Sequence, residues 1–257
     1  MKTIAIVSAK GGVGKTTTCA NLSAALARQG RAVLTLDLDP QNALRFHMGL
    51  GPEGLDGLSR ATLAGQPWLS STIQSPSGVY VLPYGAVNED DRQAFEQILA
   101  QDPDAVRRHL QAMDLADDAI VILDSPPGAS VYMKQALRAA DLVIVVTLPD
   151  AASYATLPTI HSLINTYCVA RPGFLGHAHI INQVDRSKQL AKDVTELMRA
   201  DLGPRLAGII HQDQSIPEAL AFNRTVLDYD EHGRGTHDII ACAQWIAEKL
   251  SLEDLPT

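Results

Sequence analysis

Ser8-Ala9-Lys10-Gly11-Gly12-Val13-Gly14-Lys15-Thr16-Thr17 is the stretch on which the reading of this chain turns. Before it stands Thr3-Ile4-Ala5-Ile6-Val7, an apolar run rich in β-branched residues, which predicts a strand. After it, Cys19, Leu22, Leu26 and the alanines between them recur at helical spacing. They predict a helix over Thr16 to Gln29, stopped by Gly30. Strand, glycine-rich turn and helix in that order form the context of a phosphate-binding loop. Glycines let consecutive main-chain N–H groups converge on one anion, and the helix N-terminus adds partial positive charge there. Gly11, Gly12, Val13, Gly14, Lys15, Thr16 and Thr17 are the candidate nucleotide contacts. Lys15 has the reach to touch β- and γ-phosphates, and the Thr16 hydroxyl suits Mg²⁺. A glycine- and lysine-rich turn without a ligand is the competing reading; the motif and both of its flanks together argue against it.

Two further strands end in acids. Arg31-Ala-Val-Leu-Thr-Leu36 leads into Asp37-Leu38-Asp39-Pro40-Gln41, and Ala119-Ile-Val-Ile-Leu123 into Asp124-Ser-Pro-Pro-Gly128. Carboxylates at the ends of central strands, beside a phosphate loop, can hold the water shell of Mg²⁺ or orient an attacking water. Taken singly, each could equally be a turn or capping acid. Thr16 and Asp124 are therefore candidate metal-site residues, and Asp37 and Asp39 are further acids available to the same water shell or to an attacking water.

Strands that read as continuous apolar runs and alternate with helices predict a mostly parallel α/β sheet covered on both faces. Leu142-Val-Ile-Val-Val146 and Ala178-His-Ile-Ile181 extend the series, as does Arg205-Leu-Ala-Gly-Ile-Ile210. Helices are expected over Leu55 to Leu63, Asn88 to Ala100, Tyr154 to Tyr167 and about His237 to Leu250. Another is expected to be capped by Asp102 with Pro103 in its first turn, its stripe being Val106, Leu110 and Met113. No linker interrupts the alternation, so residues 1–257 read as one domain. Hydrophobic content of 46% against 19% charged residues suits a globular core. No apolar run reaches the length of a spanning helix. Cys19, Cys168 and Cys242 are too sparse for a disulfide framework or metal cage, and a reducing cytoplasmic setting is expected. A formal charge of −8 disfavours general attraction to nucleic acid or anionic lipid. Lys188, Lys192 and Arg199 share one helix face, but with Asp193 and Glu196 they read as a solvated surface. His177 and His179 alternate onto one strand face with nothing visible to complete a metal set; they read as packing or surface histidines.

Lys10-Gly-Gly-Val-Gly-Lys-Thr16 resembles the deviant Walker A motif of the ParA/MinD family of ATPases. The resemblance extends over essentially the whole chain, through the Asp37-Leu-Asp39 switch and the Asp124-Ser-Pro stretch. It implies ATP and Mg²⁺ as ligands and an ATP-dependent homodimer in which Lys10 crosses to the partner's phosphates. It also implies that Asp37 joins Thr16 and Asp124 at the Mg²⁺ site and that Asp39 positions the attacking water. Catalytic roles for Lys10, Lys15 and Asp39 follow from it, with slow, regulatory hydrolysis of ATP to ADP. By the same resemblance Asn182 and the loop His211-Gln-Asp213-Gln-Ser-Ile216 contact the adenine, although His211 and Gln212 replace the usual Pro and Glu. Gly65-Gln-Pro-Trp68, Tyr80 to Gly85, Ile210 to Gln214 and Asp228-Tyr229 resemble the cellulose-synthesis BcsQ subfamily. That likeness implies a switch organising the cellulose secretion complex, with BcsR, BcsE and the synthase as partners. It implies recruitment to the inner membrane or cell pole through those partners. Ser251-Leu-Glu-Asp-Leu255 is acidic, unlike the basic amphipathic tail by which MinD binds membranes. A DNA-partitioning ATPase and an ATP-dependent small-molecule synthetase are the alternative functions on the same fold. A nitrogenase-type reductase is excluded by the placement of Cys168 and Cys242.

Overall fold

A computed structural model describes residues 1–251. Its strands are β1 (Lys2–Val7), β2 (Val33–Asp37), β3 (Ile73–Gln74), β4 (Tyr80–Leu82), β5 (Ile120–Asp124), β6 (Leu142–Thr147), β7 (Gly176–Val184) and β8 (Leu206–His211). They form one sheet in the order β3-β4-β2-β5-β1-β6-β7-β8, parallel throughout except for the short antiparallel β3–β4 pair. β1 lies at the centre between β5 and β6, in register from Lys2↔Ile120 to Ile6↔Asp124 on one side and Ile4↔Leu142 to Val7↔Val145 on the other.

The helices are α1 (Lys15–Arg28), α2 (Leu44–His47), α3 (Leu58–Leu63), α4 (Glu89–Gln101), α5 (Ala105–Ala112) and α6 (Val131–Ala139), followed by α7 (Ala151–Ala155), α8 (Leu157–Tyr167), α9 (Gln189–Leu202), α10 (Ser215–Ala221), α11 (Val226–Tyr229) and α12 (Arg234–Ser251). Side chains alternate across each strand, and the pleat divides the core in two. Ile4 and Ile6 of β1 pack with Leu22 and Leu26 of α1 and Ile239 and Ile246 of α12. Ala5 and Val7 face the other way, into Phe95 and Leu99 of α4, Leu137 of α6 and Ile160 and Ile164 of α8. The expected α/β architecture, with a mostly parallel sheet and helices on both faces, is what the chain adopts. No described helix is long and apolar enough to cross a membrane.

Several elements differ from expectation. The helix expected over Leu55 to Leu63 begins only at Leu58, because Gly57 is packed against the backbone of Pro83 and Gly85, where a side chain would collide. Asp104, not Asp102, stands at the N-cap of α5; the Asp102 carboxylate accepts the Asp104 N–H at 3.1 Å. The run from Tyr154 to Tyr167 is two helices, since Pro158 in the first turn of α8 cannot donate to a preceding turn. Phe95, Ile98 and Leu99 read from their spacing as one apolar face of α4, but only Phe95 and Leu99 are buried and Ile98 lies at the exposed edge. α2 and β3 were not expected, being too short for periodicity to show. The acidic tail beyond Ser251 lies outside the described residues, apart from Ser251 itself. Trp68 is buried, stacked on His109 with ring centroids 4.3 Å apart.

Candidate functional site

β1 delivers the chain into a turn that only glycine makes cheaply. Gly12 and Gly14 adopt φ of 73° and 84°, and Gly14 is the residue from which α1 starts. Any side chain on Gly14 would run into the amide of Asn182. Val13 is buried beneath the loop, so the turn is pinned from inside. From the other side Pro127 packs near Gly11, and Gly128 donates its N–H to the Ser8 carbonyl at 3.2 Å. The stretch after β5 is thereby fastened to the phosphate loop.

Lys15, Thr16, Asp37, Asp39 and Asp124 converge at the C-terminal ends of β1, β2 and β5. Lys15 is largely buried; desolvation lowers its pKa, while the charges of Asp124 and Asp39 work in the opposite direction. Asp37 and Asp124 are direct register partners on adjacent strands, and both are fully buried. Asp37 accepts the N–H groups of Asp39 at 2.9 Å and Leu44 at 3.0 Å. Burial, followed by the neighbouring Asp124 charge, nevertheless raises its pKa well above the carboxylate range. Both oxygens of Asp124 lack a hydrogen-bond partner of good geometry. Burial pushes its pKa up to about 7, against the opposing influence of the nearby Thr16 hydroxyl and Lys15. Two adjacent buried carboxylates are costly for an unliganded chain. A divalent cation bound between them and the Thr16 hydroxyl would reverse that cost, so this donor set fits Mg²⁺. Asp39 is half-buried at the mouth and accepts the Gln41 N–H at 2.9 Å.

Lys10 folds back onto its own chain. Its Nζ donates to Asp150 Oδ1 at 3.4 Å and Ser153 Oγ at 3.3 Å, both at the start of α7. Asp150 caps that helix by accepting the Ser153 N–H at 2.7 Å.

A cavity of about 300 Å³ opens beside the loop, against Gly14, Thr17 and Thr18. Ile210, Ile216, Leu220 and Ile239 supply its apolar wall. Asn182 lines it and donates Nδ2–H to the Val13 carbonyl at 2.8 Å, joining the end of β7 directly to the glycine turn. Asp213 also lines it, with both oxygens engaged. One accepts the Ser215 N–H at 2.9 Å and the other the Gly235 N–H at 2.7 Å, tying α10 to the start of α12. His211 and Asp238 pair at 2.8 Å behind this loop. Gln183 was missed by sequence reasoning. It takes φ of 57° at a bulge in β7, which turns the residues after Ile181 toward the cavity. Its position next to Asn182 was the available signal.

A glycine cradle under a buried lysine, paired strand-end acids and an apolar cavity alongside make a P-loop nucleotide site, and comparison with known proteins places it in the ParA/MinD family of ATPases. The family model described as "Cellulose biosynthesis protein BcsQ" matches residues 1–247, and the chain belongs to that family. Chromosome-partitioning ATPase Soj of Thermus thermophilus is 34% identical over 242 residues, 92% of each chain. Cellulose biosynthesis protein BcsQ of Salmonella typhimurium is 26% identical, covering 95% of this chain and 94% of the relative. Among solved structures, cobyrinic acid a,c-diamide synthase from Mycobacterium smegmatis, with an ATP analogue and magnesium, superposes with a TM-score of 0.78. It is 25% identical, and the match covers 100% of this chain and 99% of that one.

Proposed function

We propose that this chain binds ATP with Mg²⁺ and hydrolyses it slowly as a dimerisation switch for a cell-envelope machine, the cellulose secretion complex. The observation that carries the nucleotide half is the Asp37–Asp124 pair, with the unpartnered Asp124 oxygens set beside Lys15 and Thr16. Main-chain N–H groups of Gly11 to Thr16 and the Lys15 ammonium hold the phosphates. Thr16, Asp37 and Asp124 would hold Mg²⁺ and its water shell, and a bound ion would supply charge neutralisation at the phosphate oxygens. Asp39 orients the attacking water. Asn182 and the loop carrying Asp213 take the adenine, Asn182 through its amide and Asp213 by holding the loop in place. Lys10 leaves Asp150 to reach the phosphates of a second copy, so pairing and hydrolysis are coupled. Loss of the γ-phosphate releases Asp37–Gln41 and Asp124–Gly128, and partners that distinguish the two states read the output. The cellulose assignment rests on the family model over residues 1–247; BcsR, BcsE and the synthase are the partners it suggests, reached from a cytoplasmic pool.

Calorimetry with ATP, with and without Mg²⁺, tests the nucleotide half. Saturable Mg²⁺-dependent uptake that Lys15→Gln weakens by roughly 10–100-fold supports it, whereas a folded wild-type chain that takes up no ATP would refute it. Sedimentation with ATP tests the switch: Lys10→Ala should remain monomeric where the wild type dimerises.

The likeness to Soj favours one second reading, a DNA-partitioning ATPase. Against it, Lys188 pairs with Asp185 at 3.3 Å and Arg199 with Glu196 at 4.0 Å, which reduces the positive charge on that face. ATP-dependent DNA retention that falls steeply between low and moderate salt would select this reading instead.

A further inference from the structure

β7 carries a second concentration of titratable groups, on a different part of the strand from Asn182. His177 and His179 point to the same face, that of Val143, Val145 and α8, because Ala178 and Ile180 between them pack on the opposite side. α8 buries Leu157, Ile160 and Ile164, and His161 sits one turn after Leu157 at the edge of that stripe. The third histidine absent from the linear reading is therefore supplied by the helix. His161 Nε2 and His179 Nε2 are 3.0 Å apart, and one nitrogen from each of the three residues lies within 4.8 Å of the others. His179 and Asn182 are three residues apart, about 10 Å of strand, so this cluster is separate from the nucleotide site.

A satisfied polar core does not explain the arrangement. His179 is wholly buried and its Nδ1 has no hydrogen-bond partner, a cost that an apolar side chain would not incur. Burial, with the neighbouring imidazoles and Arg205 adding to it, lowers the pKa of His177 to about 4 and of His179 to about 3. His161 is lowered as well, chiefly by burial. All three rings therefore stand neutral at physiological pH, which is the form that ligates metal. Two charged groups face them from neighbouring elements. Arg205, before β8, lies 3.4 Å from His177 and opposes a cation, while Asp201 on α9 lies within electrostatic range of His161 and favours one. Arg205 is exposed and can swing into solvent. His161 and His177 are half-buried, leaving a path from outside.

We propose that His161, His177 and His179 form a binding site for a zinc-class transition-metal ion, with the fourth coordination position open to water. Three neutral imidazoles with no carboxylate or carbonyl among them are a borderline-soft nitrogen set, suited to Zn²⁺ and its neighbours and not to Mg²⁺. A tetrahedral zinc site with bonds of about 2.0–2.1 Å places its nitrogens roughly 3.3 Å apart, so modest side-chain rotations complete the set. A bound ion would pin α8 to β7.

The test uses the full chain, untagged and stripped with chelator. Zinc sulfate alone is titrated calorimetrically, and cobalt(II) is titrated while visible absorption is recorded. One saturable equivalent, a raised thermal midpoint and the intense visible bands of four-coordinate cobalt are expected. His161→Gln and His177→Gln change half-buried positions and leave the core His179 intact. Each should weaken zinc binding by at least the about 100-fold that loss of an outer-shell partner can cost. Absence of a saturable equivalent in the wild type overturns the site. So does an equivalent that survives in the folded His161→Gln/His177→Gln double variant, because the ion then sits elsewhere.

Discussion

Two groups of ionisable side chains gather against this sheet, and they are organised in opposite ways. At the ends of β2 and β5, Asp37 and Asp124 are adjacent acids whose charge is favourable only with a cation present. Along β7 and α8, three imidazoles are held neutral, so they can keep close company without repulsion. The first group stores electrostatic strain that a ligand relieves; the second leaves an unsatisfied nitrogen and little strain. The acids suit a ligand that comes and goes with its cation, whereas the histidines suit a resident ion.

Lys15→Gln should act hardest on that contrast. Loss of a charged contact of about 1.5–3 kcal/mol weakens ATP binding by roughly 10–100-fold and removes turnover, while zinc uptake is unchanged. Calorimetry with each ligand checks both halves. Asp124→Asn should abolish Mg²⁺-dependent turnover yet stabilise the unliganded chain by about 1–3 kcal/mol, since an amide bears burial better than a carboxylate. Calorimetric melting without nucleotide measures the gain; a fall in the midpoint would show that the acids are not strained. His179→Leu removes the orphaned nitrogen and should raise the midpoint of the metal-free chain by about 2–4 °C, while zinc no longer stabilises it. Asn182→Ala is the mildest change. It frees the Val13 carbonyl and should cost about 1 kcal/mol, a five- to tenfold rise in the dissociation constant for ATP, with smaller loss for a bare triphosphate.

How much of this was legible in the sequence follows the same division. The glycine turn, Lys15 and the strand-end acids lie in contiguous stretches whose local conformation fixes their place, so reading along the chain located them. The helix breaks before Leu58 and at Leu157 were not visible, because they depend on a tight backbone approach at Gly57 and on where a proline falls within a turn. His161 could not be joined to His177 and His179 from spacing alone. The meeting requires the rotational phase of α8 over β7, which packing of Leu157, Ile160 and Ile164 sets. The engagement of Asp213 with two separate helix starts was hidden for the same reason. The bulge at Gln183 had no sequence signature beyond its place next to Asn182, since its left-handed backbone is one this residue type seldom adopts.

The clasp between Lys10 and Asp150 bears on how pairing would be controlled. Both side chains are more than a third exposed, and such an ion pair contributes about 0–1 kcal/mol. Undocking the lysine is therefore no barrier worth the name. An idle subunit keeps the ammonium group parked on the rim of its own α7 and can release it on thermal timescales. Occupancy of the nucleotide and the local density of subunits, more than any internal lock, would then decide when two copies meet.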